Sequence, residues 1–290
     1  VHRGDLFCTG SRALGVIRPN GQMYLVQGLP GVWHIADIEG CDRLIAATYL
    51  GFYLLSKNGD RWRMAAQIKG TPYSAKSFCV EPGTNALWVA NKEDGIHRLL
   101  LSPGGDSIIH EKCYNSPALP KGNNVCITIV DGNIVIASRQ GLFRYDNRND
   151  TLTKDSLLEK AADGPTAYTY LHQDTLRNIW YVADGVLKRL YYNALQDEYI
   201  LREGEIYLAD TFVEDFEHID VYAPIKGKAL AALEDGFALL NISAHVEQKA
   251  PNTTLQVRNV YASGPSDSLV YAGSYLPMPE RPLRIPYAYN

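Results

Sequence analysis

The sequence predicts an all-β fold: a β-propeller segment of about six four-stranded blades, followed by the start of an immunoglobulin-like β-sandwich. Three observations carry this. One apolar–glycine–apolar unit recurs six times, the copies have the period of a propeller blade, and apolar residues alternate with period two inside each copy.

The copies read "LFCTGSRALGVIR", "LIAATYLGFYLL", "LWVANKEDGIHRL", "IVIASRQGLFRY", "IWYVADGVLKRL" and "LAALEDGFALL". Their hinge glycines are Gly15, Gly51, Gly95, Gly141, Gly185 and Gly236, spaced 36, 44, 46, 44 and 51 residues apart. A four-stranded blade repeats at roughly 40 to 45 residues. Each half of a copy is rich in Val, Ile, Tyr, Phe and Trp and reads as a strand, and the break carries Gly, Asp or Asn and reads as a turn. The hinge glycine is expected to supply the positive φ of a tight hairpin.

A first strand precedes each pair, as in "SFCVEP", "VCITIVDG", "YTYLHQD" and "DVYAPIKG". A fourth follows after "KNGDRW", "SPGGDS", "DNRNDT" or "NALQDE". The first unit lacks its innermost strand. Helical solenoids share the period but need apolar residues at i, i+3, i+4 and i+7, which these segments lack. The paired Gly-His and Trp-Asp dipeptides of a WD40 array and the paired glycines of a kelch array are also missing. Each blade has two apolar faces that only neighbouring blades can bury, so the copies predict one continuous core.

After Ile242 the pattern changes. "SAHVEQKAPNTT" reads as a polar linker, and strands of another kind, cut by five prolines, begin near Thr254. The predicted division is residues 1–250 as blades and 251–290 as the unfinished opening of the sandwich. The whole reads as part of a longer protein.

With 46% hydrophobic, 10% aromatic and 21% charged residues, the 290-residue chain has the composition of globular protein. Its net charge of -4 is spread along the chain without a basic face, which excludes nucleic-acid binding by this region. No run of about 18 apolar residues appears, and "VHRGDLFCTG" lacks the regions of a signal peptide. The five cysteines are scattered with no CxxC pair, and Cys79 and Cys126 lie in alternating apolar runs as small hydrophobes.

The unit resembles the two-component regulator propeller repeat, whose pattern runs roughly N-x-V-x-x-I-x-x-D-x-x-G-x-I-W-φ-x-T-x-x-G-L-x-R-Y-D, where φ is apolar. "NNVCITIVDGNIVIASRQGLFRYDNRNDTLTK", residues 123–154, matches it best, with Val135 at the tryptophan position and Ser138 at the threonine position. Asp174 and Trp180 are retained in a second copy and Trp88 in a third, while Ile45 and Leu230 stand at that position elsewhere. The tail, through "PLRIPYAYN", resembles the opening of the triple-tyrosine domain that follows such propellers. The two resemblances cover almost the whole chain. They imply the periplasmic sensor part of a membrane-anchored regulator, homodimeric in its full-length form, with a histidine kinase or a helix-turn-helix as output and an oligosaccharide as signal.

No G-x-S-x-G, Walker, G-x-G-x-x-G or H-E-x-x-H motif is present. The reading is therefore of a fragment that is not an enzyme and holds no cofactor or metal. Seven histidines, His2, His34, His97, His110, His172, His218 and His245, fall at different places in their units, unlike a shared metal site. "VEDFEHID", with Glu214, Asp215, Glu217, His218 and Asp220, lacks the glycine spacing of a calcium loop and reads as a solvated loop. Asn241 and Asn252 head short glycosylation-type triplets. The 19 tyrosines suit stacking on sugar rings but also suit strands.

Position discriminates better than count. The rim carrying the inter-blade connections and the turns before the hinge glycines is the expected binding face. The candidate ligand-binding residues there are Trp33, His34, Tyr73, Lys76, Lys92, Glu93, Asn123, Asn124, Arg139, Gln140, Tyr168 and Asp184. Arg139 leads, because its fork of donors suits a uronate or a sulfate. Trp88 and Trp180 are mid-strand and predicted to pack blades. The expected function is ligand sensing or dimerisation on that rim. The alternatives are a propeller glycoside hydrolase or polysaccharide lyase using Glu93, Asp184, Glu214 or Asp235, or a scaffold that binds no ligand.

Overall fold

The computed structural model describes residues 2–241, apart from 3, 11, 39–41, 72–73, 76, 92–94, 121–124, 163, 165, 185, 209–219, 226 and 234–235, and beyond them only short strands between 256 and 288. The chain divides into two compact units, Val1–Ala244 and His245–Asn290.

The first unit is a β-propeller whose strands fall into six blades. Blade 1 contains β1 (Leu6–Cys8), β2 (Leu14–Ile17) and β3 (Met23–Val26). Blade 2 contains β4 (Val32–Asp37), β5 (Arg43–Thr48), β6 (Gly51–Asn58) and β7 (Arg61–Gln67). Blade 3 contains β8 (Phe78–Val80), β9 (Ala86–Asn91), β10 (Gly95–Leu101) and β11 (Ile108–Tyr114). Blade 4 contains β12 (Val125–Val130), β13 (Asn133–Ser138), β14 (Gly141–Asp146) and β15 (Thr151–Lys154). Blade 5 contains β16 (Tyr168–Gln173), β17 (Ile179–Ala183), β18 (Val186–Asn193) and β19 (Glu198–Leu208). Blade 6 contains β20 (Asp220–Ile225), β21 (Lys228–Leu233) and β22 (Gly236–Asn241). Within every blade, neighbouring strands are antiparallel and follow chain order.

The second strand in blades 2, 4 and 5 is a continuous buried run rather than the expected alternation, so apolar residues face both sides of the sheet, and the buried clusters are the seams between blades. Leu14, Val16 and Val26 meet Leu44, Leu55 and Trp62 between blades 1 and 2. Ile45, Phe52 and Leu54 meet Phe78, Leu87 and Leu99 between blades 2 and 3. Trp88 and Tyr114 meet Ile134, Ile136 and Phe143 in the next seam. Val135 and Leu142 then meet Leu171, Ile179 and Tyr181. Trp180 and Leu187 meet Val221 and Ala231 in the last. Trp88 and Trp180 are fully buried, each packed toward the following blade. Full burial of one such side chain stabilises by about 1.5 to 3 kcal/mol, so each seam is held by several of them.

Among the described residues, one helix interrupts the strands. α1 (Ser156–Ala161) lies between blades 4 and 5, and its N-cap Asp155 accepts the Leu158 N–H at 3.1 Å. Arg144 holds the other oxygen of that carboxylate, donating from Nε at 2.6 Å.

The second unit contains β23 (Gln256–Val257), β24 (Val260–Ala262), β25 (Ser268–Val270), β26 (Leu283–Arg284) and β27 (Tyr287–Ala288). β23 pairs with β27, and β24 pairs with both β25 and β26, all antiparallel.

Candidate functional site

The turn between the second and third strands is built identically in blades 2 and 4. The Ser138 hydroxyl accepts the Gln140 N–H at 3.1 Å and donates to the Gly141 carbonyl at 3.1 Å. Thr48 does the same, accepting from Leu50 N–H at 3.0 Å and donating to the Gly51 carbonyl at 2.8 Å. With the hydroxyl buried in the turn, the two residues between it and the glycine project outward. These are Arg139 and Gln140 in blade 4, and Tyr49 and Leu50 in blade 2, all exposed.

Three of the hinge glycines have the positive φ that the hairpin pattern predicts, +110° at Gly51, +122° at Gly95 and +112° at Gly141, whereas Gly15 does not. They carry a second constraint that the repeat does not reveal. A Cβ on Gly51 would lie 2.3 Å from the Thr71 carbonyl oxygen, one on Gly95 2.6 Å from that of Tyr114, and one on Gly141 2.0 Å from Glu159 Oε1. The chain leaving the blade closes over the back of the turn. In blade 4 a buried carboxylate does this: Glu159 reaches out of α1 and accepts the Leu142 N–H at 2.8 Å. In blade 2 the Thr71 hydroxyl occupies the equivalent place, accepting the Phe52 N–H at 3.3 Å.

Trp33 and His34 lie at the start of β4, where the register with β5 shifts between Val32 and His34, so that Trp33 is an extra residue in the strand. The half-buried Trp33 ring meets Tyr49 with centroids 4.4 Å apart and planes tilted by 54°. Gln67 donates to the Leu50 carbonyl at 3.1 Å and fixes the tip of the turn beside this pair. His34 is exposed and stands edge-on to Phe78 at 5.4 Å. The rim of blade 2 therefore presents Trp33, Tyr49 and Leu50 as an aromatic and aliphatic platform. Tyr49 and Leu50 were not among the sequence candidates; they occupy the offset from the hinge glycine that Arg139 and Gln140 occupy.

Blade 5 repeats the bulge. Its register shifts between Tyr168 and Tyr170, with Thr169 as the extra residue. The Thr169 hydroxyl is buried and has no hydrogen-bond partner among the described residues. Tyr168 is buried rather than displayed, and its hydroxyl donates to the Gly164 carbonyl at 2.7 Å. Asp184 is exposed at φ +49° and accepts the Thr166 hydroxyl. Tyr73, Lys76, Lys92, Glu93, Asn123 and Asn124 lie outside the described residues, as do the side chains of the "VEDFEHID" run and of Asp235.

The opposite rim is closed by carboxylates serving neighbouring strands. Asp174 accepts the Trp180 indole N–H at 3.0 Å, Glu81 that of Trp88 at 2.7 Å, and Asp5 that of Trp62 at 3.0 Å. Asp131 stands where Asp174 does, but its blade has Val135 in place of the tryptophan. It accepts instead from Gln173 at 2.9 Å, Arg177 at 3.0 Å and Tyr199 at 2.7 Å, all in blade 5. Burial alone would raise its carboxyl, and these donors overcome that and hold it below the usual range. Asp150 ties blade 3 to blade 4, accepting from Lys112, from Tyr114 at 2.5 Å and from Tyr145 at 2.9 Å. The Lys112 ammonium, followed by the Tyr114 hydroxyl, pulls its carboxyl down to about 2. These acids are taken up in packing, whereas Tyr49, Leu50, Arg139 and Gln140 on the first rim are exposed.

No family model matches the chain, and no curated protein sequence matches it. Solved structures do. Streptogramin B lyase superposes with a TM-score of 0.51 at 14% identity, over 83% of this chain and 77% of that one. A candidate gluconolactonase superposes with a TM-score of 0.50 at 12% identity, over 82% of this chain and 84% of that one. Both are β-propellers, and at this identity the likeness is one of fold. It also corrects the expectation of a fragment that is not an enzyme. Solved propellers of this shape include a lyase and a candidate lactonase, so lacking the common catalytic motifs does not exclude catalysis on this architecture.

Proposed function

We propose that the propeller binds an oligosaccharide-class ligand on the rim that carries Trp33, Tyr49, Leu50, Arg139 and Gln140, as the extracytoplasmic sensing region of a transmembrane regulator. The observation that carries the reading is the Trp33–Tyr49 pair, which offers ring surface beside the exposed Leu50. Aromatic faces stack on the apolar faces of pyranoses while nearby donors take hydroxyls or carboxylates. The regulator context is supported by the resemblance of the blades to regulator propeller repeats and of residues 251–290 to the triple-tyrosine domain. A ligand that prefers one arrangement of the rim would bias the protein toward it.

The test is calorimetry and thermal shift against a panel of neutral and acidic oligosaccharides, with Trp33→Ala and Tyr49→Ala as variants. Binding by the parent chain and a loss of tenfold or more in either variant supports the reading. No shift with any sugar, or unchanged affinity in both variants, sinks it.

A second reading is catalysis, favoured by the lyase and candidate lactonase among the similar propellers. Asp184 is the described rim carboxylate that the sequence reading assigned to this chemistry. Incubation of the parent chain and Asp184→Asn with polysaccharides, followed by chromatography for new ends, tests it. Product formed by the parent and not by the variant supports it.

A further inference from the structure

We propose that Asn58, at the tip of the β6–β7 hairpin on the rim opposite the candidate binding face, is a site of spontaneous deamidation in the folded protein, and that Asn20 is protected from the same reaction by the turn that holds it.

Asn20–Gly21 and Asn58–Gly59 are the two Asn-Gly pairs of the sequence. The chemistry open to both is the same. The glycine backbone nitrogen gives up its proton to hydroxide and attacks the asparagine Cγ. The Cγ–Nδ2 bond breaks, ammonia leaves with a proton taken from water, and a succinimide ring closes. Water then opens the ring at either carbonyl, leaving aspartate or, when the chain is rerouted through the side chain, isoaspartate. Water is the co-reactant, and nothing is oxidised or reduced. Glycine favours the attack because no side chain shields its nitrogen and its backbone turns freely. The surrounding structure separates the two pairs.

The Asn20 pair is locked. The Gly21 N–H donates to the Arg18 carbonyl at 2.8 Å, and Asn20 Oδ1 accepts the Gln22 N–H at 3.0 Å. The Arg18 N–H donates to the Gln22 carbonyl at 2.9 Å and closes the turn around both. Ring closure has to break the first two of these bonds.

The Asn58 pair is open. Asn58 ends β6 and pairs with Arg61 at the start of β7, leaving Gly59 and Asp60 as a two-residue loop. Asn58, Gly59 and Asp60 are all exposed. Gly59 has φ +59°, and a Cβ on it would meet nothing within 4 Å. Among the described residues, the Gly59 N–H makes no turn hydrogen bond and the Asn58 amide is not hydrogen-bonded. Arg61 stands directly across from Asn58, so its positive charge favours the oxyanion that forms on Cγ during the attack.

The next register pair inward is Lys57 with Trp62. Both donate to Asp5 Oδ2, from Nζ and from the indole nitrogen, each at 3.0 Å. Aspartate at position 58 adds a negative charge beside this clasp, and isoaspartate adds a backbone carbon one position from it. The reaction needs no enzyme, so its extent records the age of the folded protein.

The test incubates the parent chain, folded and in concentrated urea, in mildly alkaline buffer. Both asparagines are followed by peptide mass spectrometry, with isoaspartate-specific methylation as a second readout. In the folded protein Asn58 is expected to convert roughly tenfold faster than Asn20 or more, because the bonds at the Asn20 turn must open first, and in urea the two rates should agree within roughly twofold. Asn58→Gln, which would have to close a larger ring, should remove the acidic species that accumulates on ion-exchange chromatography. Equal rates in the folded protein, or faster conversion at Asn20, would overturn the proposal. A rate difference that persists in urea would overturn it too, by assigning the difference to sequence rather than to the turns.

Discussion

Trp180 donates its indole N–H to the Asp174 carboxylate across 3.0 Å, and the same carboxylate accepts the backbone N–H groups of Leu176 and Asn178, each at 2.9 Å. One buried acid thus closes the turn after β16 and fixes the largest side chain of the blade 5 to blade 6 seam. Where blade 4 has Val135, Asp131 has no indole to receive and turns to the next blade.

Removing these two acids is expected to have unequal effects. Asp174→Ala removes the carboxylate that accepts from the buried Trp180 indole and the Asn178 amide, at about 1 to 3 kcal/mol for each hydrogen bond to the charged group, and destabilises by about 2 to 4 kcal/mol in urea titrations. Asp131→Ala breaks pairs that are largely exposed and costs less than about 1 kcal/mol. Equal losses for the two variants would contradict the division between a buried clasp and a surface node.

Gly141→Ala has to place a Cβ where Glu159 Oε1 lies, at a backbone φ of +112°. The expected loss is about 2 kcal/mol or more. Gly132→Ala sits at φ +74°, close to the left-handed region that other residues occasionally adopt, with nothing within 4 Å of the added carbon, and should cost only about 1 kcal/mol. A double-mutant cycle separates the two terms: with Glu159→Ala present, the Gly141 penalty falls toward that of Gly132. If Glu159→Ala leaves it unchanged, the steric account is wrong.

Asp150 gives the fold an acid-sensitive contact. Its carboxyl titrates near 2 when folded and near the ordinary aspartate value of about 3.9 when unfolded, so the unfolded chain binds the proton first as pH falls. Its stabilisation is complete above about pH 5, declines through about pH 4 and is gone below about pH 2. Asp150→Asn should therefore be less stable than the parent at pH 7 and lose less on acidification from pH 5 to pH 2. Parallel stability curves for the two proteins across that window would remove Asp150 from the account.

Arg139 and Gln140 are exposed on a turn whose hydrogen bonds come from Ser138 and the backbone. Arg139→Ala is expected to change stability by no more than about 0.5 kcal/mol, whereas Ser138→Ala, which strips the buried hydroxyl from the turn, should cost about 1 kcal/mol. Denaturant midpoints of the two variants check this directly, and a large loss at Arg139 would mean that its side chain serves the fold.

The blades were legible because their information is local. The apolar runs "IVIAS" and "LFRY" supply both faces of β13 and β14, and Gly141 marks the turn between them. Trp88 and Trp180 could be assigned to packing from their mid-strand position alone. Glu159 could not be assigned, since its role depends on a six-residue helix bringing it back to a turn 17 positions earlier. The bulges at Trp33 and Thr169 were also hidden, because one extra residue leaves the composition of a strand unchanged. Tyr49 and Leu50 were hidden differently. They are good strand residues and read as part of the strands around them, and only the fixed offset from Gly51 would have placed them on the rim.

The contact between Gly141 and Glu159 sets how this surface can vary. At positions 139 and 140 almost any side chain fits, because the turn is held by its neighbours and the pair points into solvent. At position 141 a single methyl group would push the Glu159 carboxylate off the Leu142 N–H, at a backbone φ that side chains rarely adopt. Recognition can therefore drift from blade to blade while the letter beside it stays frozen, and a propeller built this way can acquire a new ligand by exchanging two residues at a time.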